Sequence, residues 1–343
     1  MFEGLLSRAP VVGLALLCFG GGVHGATIAD LARSLREALA AHKADAAVAV
    51  LVSGTKLSER LEEPVIEQLQ SEGAGPQAVE ELEQQRGLTA RLPAPKQLSL
   101  FDAPPAPSSA EQARVLDQAR SIAAQYSAGL PNFLCTETVR RYGDRKNKGN
   151  WQLRDTLTVS VAYTEKGERY KLIGIDGQAT DKTLARVGGF KSNGEFGSVL
   201  RIIFDPQSAA AFHWERWTNL RGKPALVFSY FIDRAHSKYT LDFNRVVKRY
   251  RMVSAMRGLV YLDRDTSQVM RFSLDSVDLP ADWPIRDTPA VLDYAYAEVA
   301  GQKYLLPWRV DSRVVMKDGQ DRNVTEFREY RKFAGEATVS FDK

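Results

Sequence analysis

Thiols and imidazoles are scarce in this sequence, which has two cysteines and four histidines in 343 residues. Cys18 lies inside an N-terminal apolar run, from Ala9 to about Gly22, that follows Arg8 and precedes Val23-His24-Gly25-Ala26. That arrangement reads as a secretory signal cleaved after Gly25. The run is too short to span a hydrocarbon layer, which needs ~20 residues. No later segment is longer, so no transmembrane span is expected in the mature form. Loss of the leader would leave Cys135 as the only thiol, which excludes an internal disulfide and paired-cysteine metal sites. Placed after Phe133 and Leu134 with no obvious base nearby, Cys135 is expected to be buried rather than nucleophilic.

Enzymatic signatures are equally sparse. There is no G-x-S-x-G, Walker A, G-x-G-x-x-G or H-E-x-x-H pattern, and no cofactor is expected. Asp263-Arg264-Asp265-Thr266 has the D-x-D-x-T spacing of haloacid-dehalogenase-type phosphatases, but a second strand begins at once at Gln268, so a hairpin turn is expected there. His213-Trp214-Glu215 has half of a zinc-deaminase pattern and lacks the cysteines. Ala74-Gly75-Pro76 faintly resembles a DNA-binding helical hairpin, but its flanks are glutamates, and a net charge of only +4 gives no reason to expect a nucleic-acid partner.

Residues 26–92 have helical periodicity, with Ile28, Leu31, Leu35 and Leu39 on one stripe and Val65, Ile66, Leu69, Val79 and Leu82 on others. Glu59, Glu62, Glu63, Glu67, Glu72, Glu80, Glu81 and Glu83 predict an acidic surface for this segment. A Pro/Ala/Ser stretch at 93–110 is expected to be a linker. Charge divides at this boundary: residues 27–110 hold 12 acidic and 8 basic side chains, whereas 111–343 hold 29 acidic and 37 basic.

A capped helix is predicted over 109–129, led by Ser109, and a shorter one over Phe196–Phe204. From residue 134 the period changes to two, most clearly at Trp151, Leu153, Leu157, Val159, Val161 and Tyr163. Twelve such windows are joined by short turns, including Arg221-Gly222-Lys223 and Ala300-Gly301-Gln302, which require antiparallel neighbours. The predicted fold class is therefore α+β. A large curved antiparallel meander, an open half-barrel over 111–343, is covered by helices and preceded by the small helical segment. A closed outer-membrane barrel is the competing architecture.

Aromatic residues concentrate in the second half. Alternation puts Phe212 with Trp214, Phe228 with Tyr230, and Leu292 with Tyr294 and Tyr296 on single faces, and these seven are the candidate lining of an apolar ligand pocket. Arg245, Lys248, Arg249, Arg251 and Arg257 form the densest basic cluster. Arg249 and Arg251, which share a strand face, are the candidate contacts for an anionic head group.

Gly258-Leu259-Val260-Tyr261-Leu262-Asp263 with Val269-Met270-Arg271-Phe272, then Leu292-Asp293-Tyr294-Ala295-Tyr296, Gly301 to Pro307, and Arg309, resemble the long-stranded sheets of periplasmic lipoprotein-carrier proteins of the LolA/LolB/RseB type. The resemblance covers about 115–335. It implies a non-enzymatic, exported carrier whose half-barrel shelters a lipid-like ligand in the periplasm. The helical segment and linker are additional to that pattern. They raise the alternative of an envelope scaffold whose N-terminal helices bind a protein partner.

Overall fold

The structure is a computed structural model that describes residues 25–95, 104–147, 149–190, 195–244 and 249–333. The predicted signal, apart from Gly25, lies outside the described residues, as do the middle of the linker and Arg245 and Lys248. No described helix is long and apolar enough to cross a membrane.

Four helices form the N-terminal unit: α1 (Ile28–Ala40), α2 (Asp45–Gly54), α3 (Glu63–Ser71) and α4 (Pro76–Thr89). Thr27 and Asp30 start α1 with a reciprocal capping box. The predicted stripes converge, so that Leu31, Leu35, Val48, Val65, Leu69 and Leu82 share one small core.

After the linker, α5 (Ser109–Tyr126) is capped by Ser108, whose Oγ accepts from the Glu111 backbone N–H; the cap is thus one residue earlier than expected. The strands that follow are β1 (Phe133–Asp144), β2 (Gln152–Thr164), β3 (Gly167–Ile175) and the short β4 (Gln178–Ala179). Next come α6 (Leu184–Val187), α7 (Ser198–Phe204), β5 (Ala211–Leu220) and β6 (Lys223–Ile232). The chain ends with β7 (Thr240–Asn244), β8 (Arg249–Val253), β9 (Ala255–Asp263), β10 (Val269–Val277), β11 (Ile285–Asp287), β12 (Ala290–Val299), β13 (Gln302–Met316) and β14 (Gly319–Lys332).

The main sheet runs β4-β3-β2-β1-β14-β13-β12-β10-β9-β6-β5, with β11 added to β13, and every pairing is antiparallel. It is open, with β4 and β5 as its ends, so the closed-barrel architecture is not adopted. The simple meander is also corrected. The first strand of the domain pairs with the last in mid-sheet, and β7 and β8 leave the sheet as a separate two-stranded ribbon, so that β6 pairs with β9. Two-residue turns at Arg221-Gly222 and Ala300-Gly301 have positive φ at both positions, the geometry that matches the twist of a tight hairpin.

The sheet has two unlike faces. On the inner face, α5 and α7 bury Val115, Ala119, Ile203 and Phe204 against Phe133, Val161, Phe228, Val260, Phe272 and Tyr294. On the outer face lie a smaller apolar patch around Tyr261 and Met270 and a row of arginines and aspartates. One predicted face is not continuous. A register shift in the β1–β2 pairing near Arg154 leaves Leu157, Val159 and Val161 inside but exposes Leu153 and places Trp151 beside the guanidiniums of Arg313 and Arg322.

Candidate functional site

The predicted acidic surface of the helical unit is in part an internal contact. Glu67 is fully buried (0% exposed), with Oε1 3.1 Å from Arg216 Nη2, and it accepts a hydrogen bond from Thr218 Oγ1. Burial pushes its carboxyl up, and Arg216 opposes that shift. Four residues earlier, on the same side of α3, Glu63 stands 3.2 Å from Arg271 and 2.6 Å from Arg86. Arg271 is itself buried, with its Nε 2.8 Å from Asp293 Oδ1, while Arg221 also pairs with Asp293. Burial alone would raise the Asp293 carboxyl, but Arg271 and Arg221 together hold it at about 2. Further along, Arg322 makes a two-pronged bond to Asp311 and lies 4.0 Å from Glu80 of α4. The negative helical unit and the positive sheet domain are therefore complementary halves of one buried ionic contact on the outer face. The charge split is visible in the sequence. Its use within the chain depends on which strand face the arginines occupy.

Beside this contact is a cleft of about 550 Å³. Glu63 and Arg86 form its wall on the helical side. Phe231, Leu259, Tyr261 and Val291 form an apolar floor on the sheet, and Arg257, Asp275 and His213 stand among them. The floor comes from alternate residues of neighbouring strands, as in Leu259 with Tyr261 and Ser273 with Asp275. Gly258 lets the Tyr230 ring cross β9 to the edge of this cleft, because a Cβ there would strike both that ring and the Ser273 carbonyl.

The predicted lining residues mostly lie elsewhere. Phe228, Tyr230, Leu292 and Tyr294 belong to the inner-face core, and Phe212 and Trp214 are half-buried against it. α5 and α7 fill the space above them: Tyr126 meets Tyr294 edge-on at 5.8 Å, and Phe204 stacks on Phe212 at 5.5 Å. Their hydroxyls are used internally, with Tyr230 donating to the Ser273 carbonyl and Tyr294 to that of Glu195. Tyr296 is 48% exposed beneath Lys223 and does not share the burial of Tyr294. Of the seven, only Tyr230 lines the cleft. Arg251 is exposed on the separate ribbon, and the side chain of Arg249 lies outside the described part of the structure. Among the described side chains of the same basic cluster, Arg257 reaches the cleft. The sequence signal that could have pointed to the outer-face site is the interruption of otherwise apolar strands by Arg271 and Asp293, which the alternation argument passed over.

A second cavity of about 140 Å³ lies on the inner face below α6, between Val139, Leu157, Val159 and Leu184. Glu137 projects into it with its carboxyl pushed up to about 8 by burial and by the nearby carboxylates of Glu195 and Glu168.

The catalytic-looking motifs have structural roles. Asp263 accepts hydrogen bonds from the backbone N–H groups of Asp265 and Thr266 and so closes the β9–β10 turn. Cys135 is buried. Among the described residues no group of three or more His, Cys, Asp or Glu side chains is placed to hold a metal ion.

No family model matches the chain, and no curated protein matches it. Solved structures do. A LolA superfamily protein from Nitrosomonas europaea is 11% identical, covers 67% of this chain and 97% of its own, and has a TM-score of 0.33. An outer membrane lipoprotein-sorting protein domain from Vibrio parahaemolyticus is 9% identical, covers 65% and 95%, and has a TM-score of 0.30. A DUF1329 family protein from Desulfovibrio piger is 10% identical, covers 66% and 97%, and has a TM-score of 0.33. The LolA-type class met in the sequence is thus among the similar structures.

Proposed function

We propose that this chain is a non-enzymatic binding or carrier protein of the periplasm whose ligand is lipidic or otherwise apolar. The observation that carries this reading is the outer-face cleft. Its volume is in the range of small-molecule sites, ~300–1,000 Å³, and its floor is mainly hydrocarbon with a few charged groups at the edge. Burying ten methylenes there would supply roughly 8 kcal/mol at ~0.8 kcal/mol each, before the costs of association. Tyr230 is the residue of the predicted lining that takes part directly. Phe212, Trp214, Phe228, Leu292 and Tyr294 support the sheet from behind.

The alternative, helices that recruit an envelope partner through their acidic face, is less favoured because Glu63 and Glu67 are turned onto arginines of the same chain. Native mass spectrometry of the purified protein, with hexadecanoate and hexadecan-1-ol as added probes, tests the proposal. A retained lipid or a one-to-one probe complex is expected. A protein that carries no lipid and ignores both probes would overturn it.

A further inference from the structure

The charged groups of the cleft are of two kinds, and the difference points to a class of ligand; the inference rests on the apolar-ligand reading above. Arg271 is locked by Asp293 and Glu63, and Arg86 by Glu63 and Glu83. Neither can turn to a ligand without breaking a short ion pair. Arg257, on β9, is free to do so. Its side chain is 63% exposed, and its ion-pair contact is a long 3.5 Å approach to Asp275 Oδ2. A guanidinium beside an apolar floor suits the carboxylate of an amphiphile, which it can bind through two parallel hydrogen bonds.

Asp275 also has an acidic neighbour. The Asp287 carboxyl hydrogen-bonds Asp275, and it is pushed up to about 7 by burial and then by Asp275 itself. Asp275 Oδ1 is buried with no hydrogen-bond partner. A proton held between the two carboxyls supplies one. The other groups facing this pair are Arg257 from β9, the Thr288 backbone N–H at 3.1 Å from Asp287, and the phenols of Tyr230 and Tyr239. When the pair holds its proton, Arg257, Asp275 and Asp287 sum to zero charge; when the proton leaves, they sum to minus one and oppose an incoming anion. His213 lines the same cleft, so the test includes a variant that removes it.

We propose that the outer cleft takes a single-chain anionic amphiphile, a long-chain carboxylate, with its head group on Arg257 and its tail on the floor of Phe231, Leu259 and Val291, and that the Asp275–Asp287 pair makes this capture tighter toward acid.

The test is calorimetric titration of the full chain with hexadecanoate and with hexadecan-1-ol at pH 6 and pH 8. Hexadecanoate should bind about tenfold tighter than the alcohol at pH 6. Arg257→Gln should remove that advantage and bring the two probes to equal affinity. Wild-type affinity for hexadecanoate should fall several-fold from pH 6 to pH 8; His213→Gln should retain that fall and Asp287→Asn should abolish it. Leu259→Trp, which fills the cleft, should abolish binding of both probes. Equal wild-type affinity for the two probes, indifference to Arg257→Gln, or binding that survives Leu259→Trp would overturn this assignment while leaving a binder of apolar ligands. Failure of both probes would overturn both.

Discussion

Replacing Arg271 with Met tests the ionic contact between the helical unit and the sheet. The substitution keeps most of the aliphatic stem and removes a charge that is almost wholly enclosed. It deletes the bonds from Arg271 to Asp293 at 2.8 and 3.1 Å and the approaches to Glu63 and Gln70 at 3.2 and 3.4 Å. Removing one partner of a buried pair costs ~3–5 kcal/mol, because the other charge is left behind without compensation. Here Asp293 retains Arg221 and Glu63 retains Arg86, so a loss of roughly 2–3 kcal/mol is expected. In urea, with a slope of roughly 2–3 kcal/mol per M, the midpoint should fall by about 1 M. The pH dependence provides an internal control. Asp293 is held at about 2 against an ordinary 3.8, so the stability it contributes is fully present above pH 4 and is lost as the pH falls through 2. That amounts to ~2 kcal/mol. Without Arg271 the decline between pH 4 and 2 should be shallower than in the wild type. A variant within about 0.5 kcal/mol of wild type, with an unchanged acid limb, would refute the view that this contact holds the two parts together.

Other expectations concern single sites. Gly258→Ala should cost ~1–3 kcal/mol in urea unfolding, because its Cβ would strike the Ser273 carbonyl on the next strand; an unchanged midpoint would contradict that packing. Cys135 should resist an aromatic disulfide reagent in the native protein and react once urea is added, since burial both shields the thiol and pushes it well above its usual range; rapid native labelling would show the site to be open. Ser108→Ala should lower stability by about 0.5–1 kcal/mol through loss of the cap on α5; thermal unfolding with no shift would place the start of α5 elsewhere.

What could be read in the sequence was local. The period-two alternation and the short turns located the long strands of the main sheet to within a few residues but not the short β4 and β11, and the stripe of Ile28, Leu31 and Leu35 found the helical core. The pairing of β1 with β14 could not be read, because it joins segments nearly two hundred residues apart and no local pattern encodes it. The exit of β7 and β8 from the sheet, and the register shift that turns Trp151 outward, are likewise settled by tertiary packing. For the site, alternation correctly grouped Phe228 with Tyr230, but it cannot tell a covered face from an open one. The covering depends on α5 and α7, whose amphipathic patterns say only that they bury a face. The acidic glutamates looked like solvated surface because their partners, Arg216, Arg271 and Arg322, are scattered over more than a hundred residues of the other domain.

The most direct test of the ligand's position is photo-crosslinking with a long-chain carboxylate that carries a diazirine in its tail, followed by peptide mapping. The outer-cleft account predicts adducts on the strands around Phe231, Leu259 and Val291. Adducts confined to the inner-face cavity around Val139, Val159 and Leu184, or none above background, would contradict it.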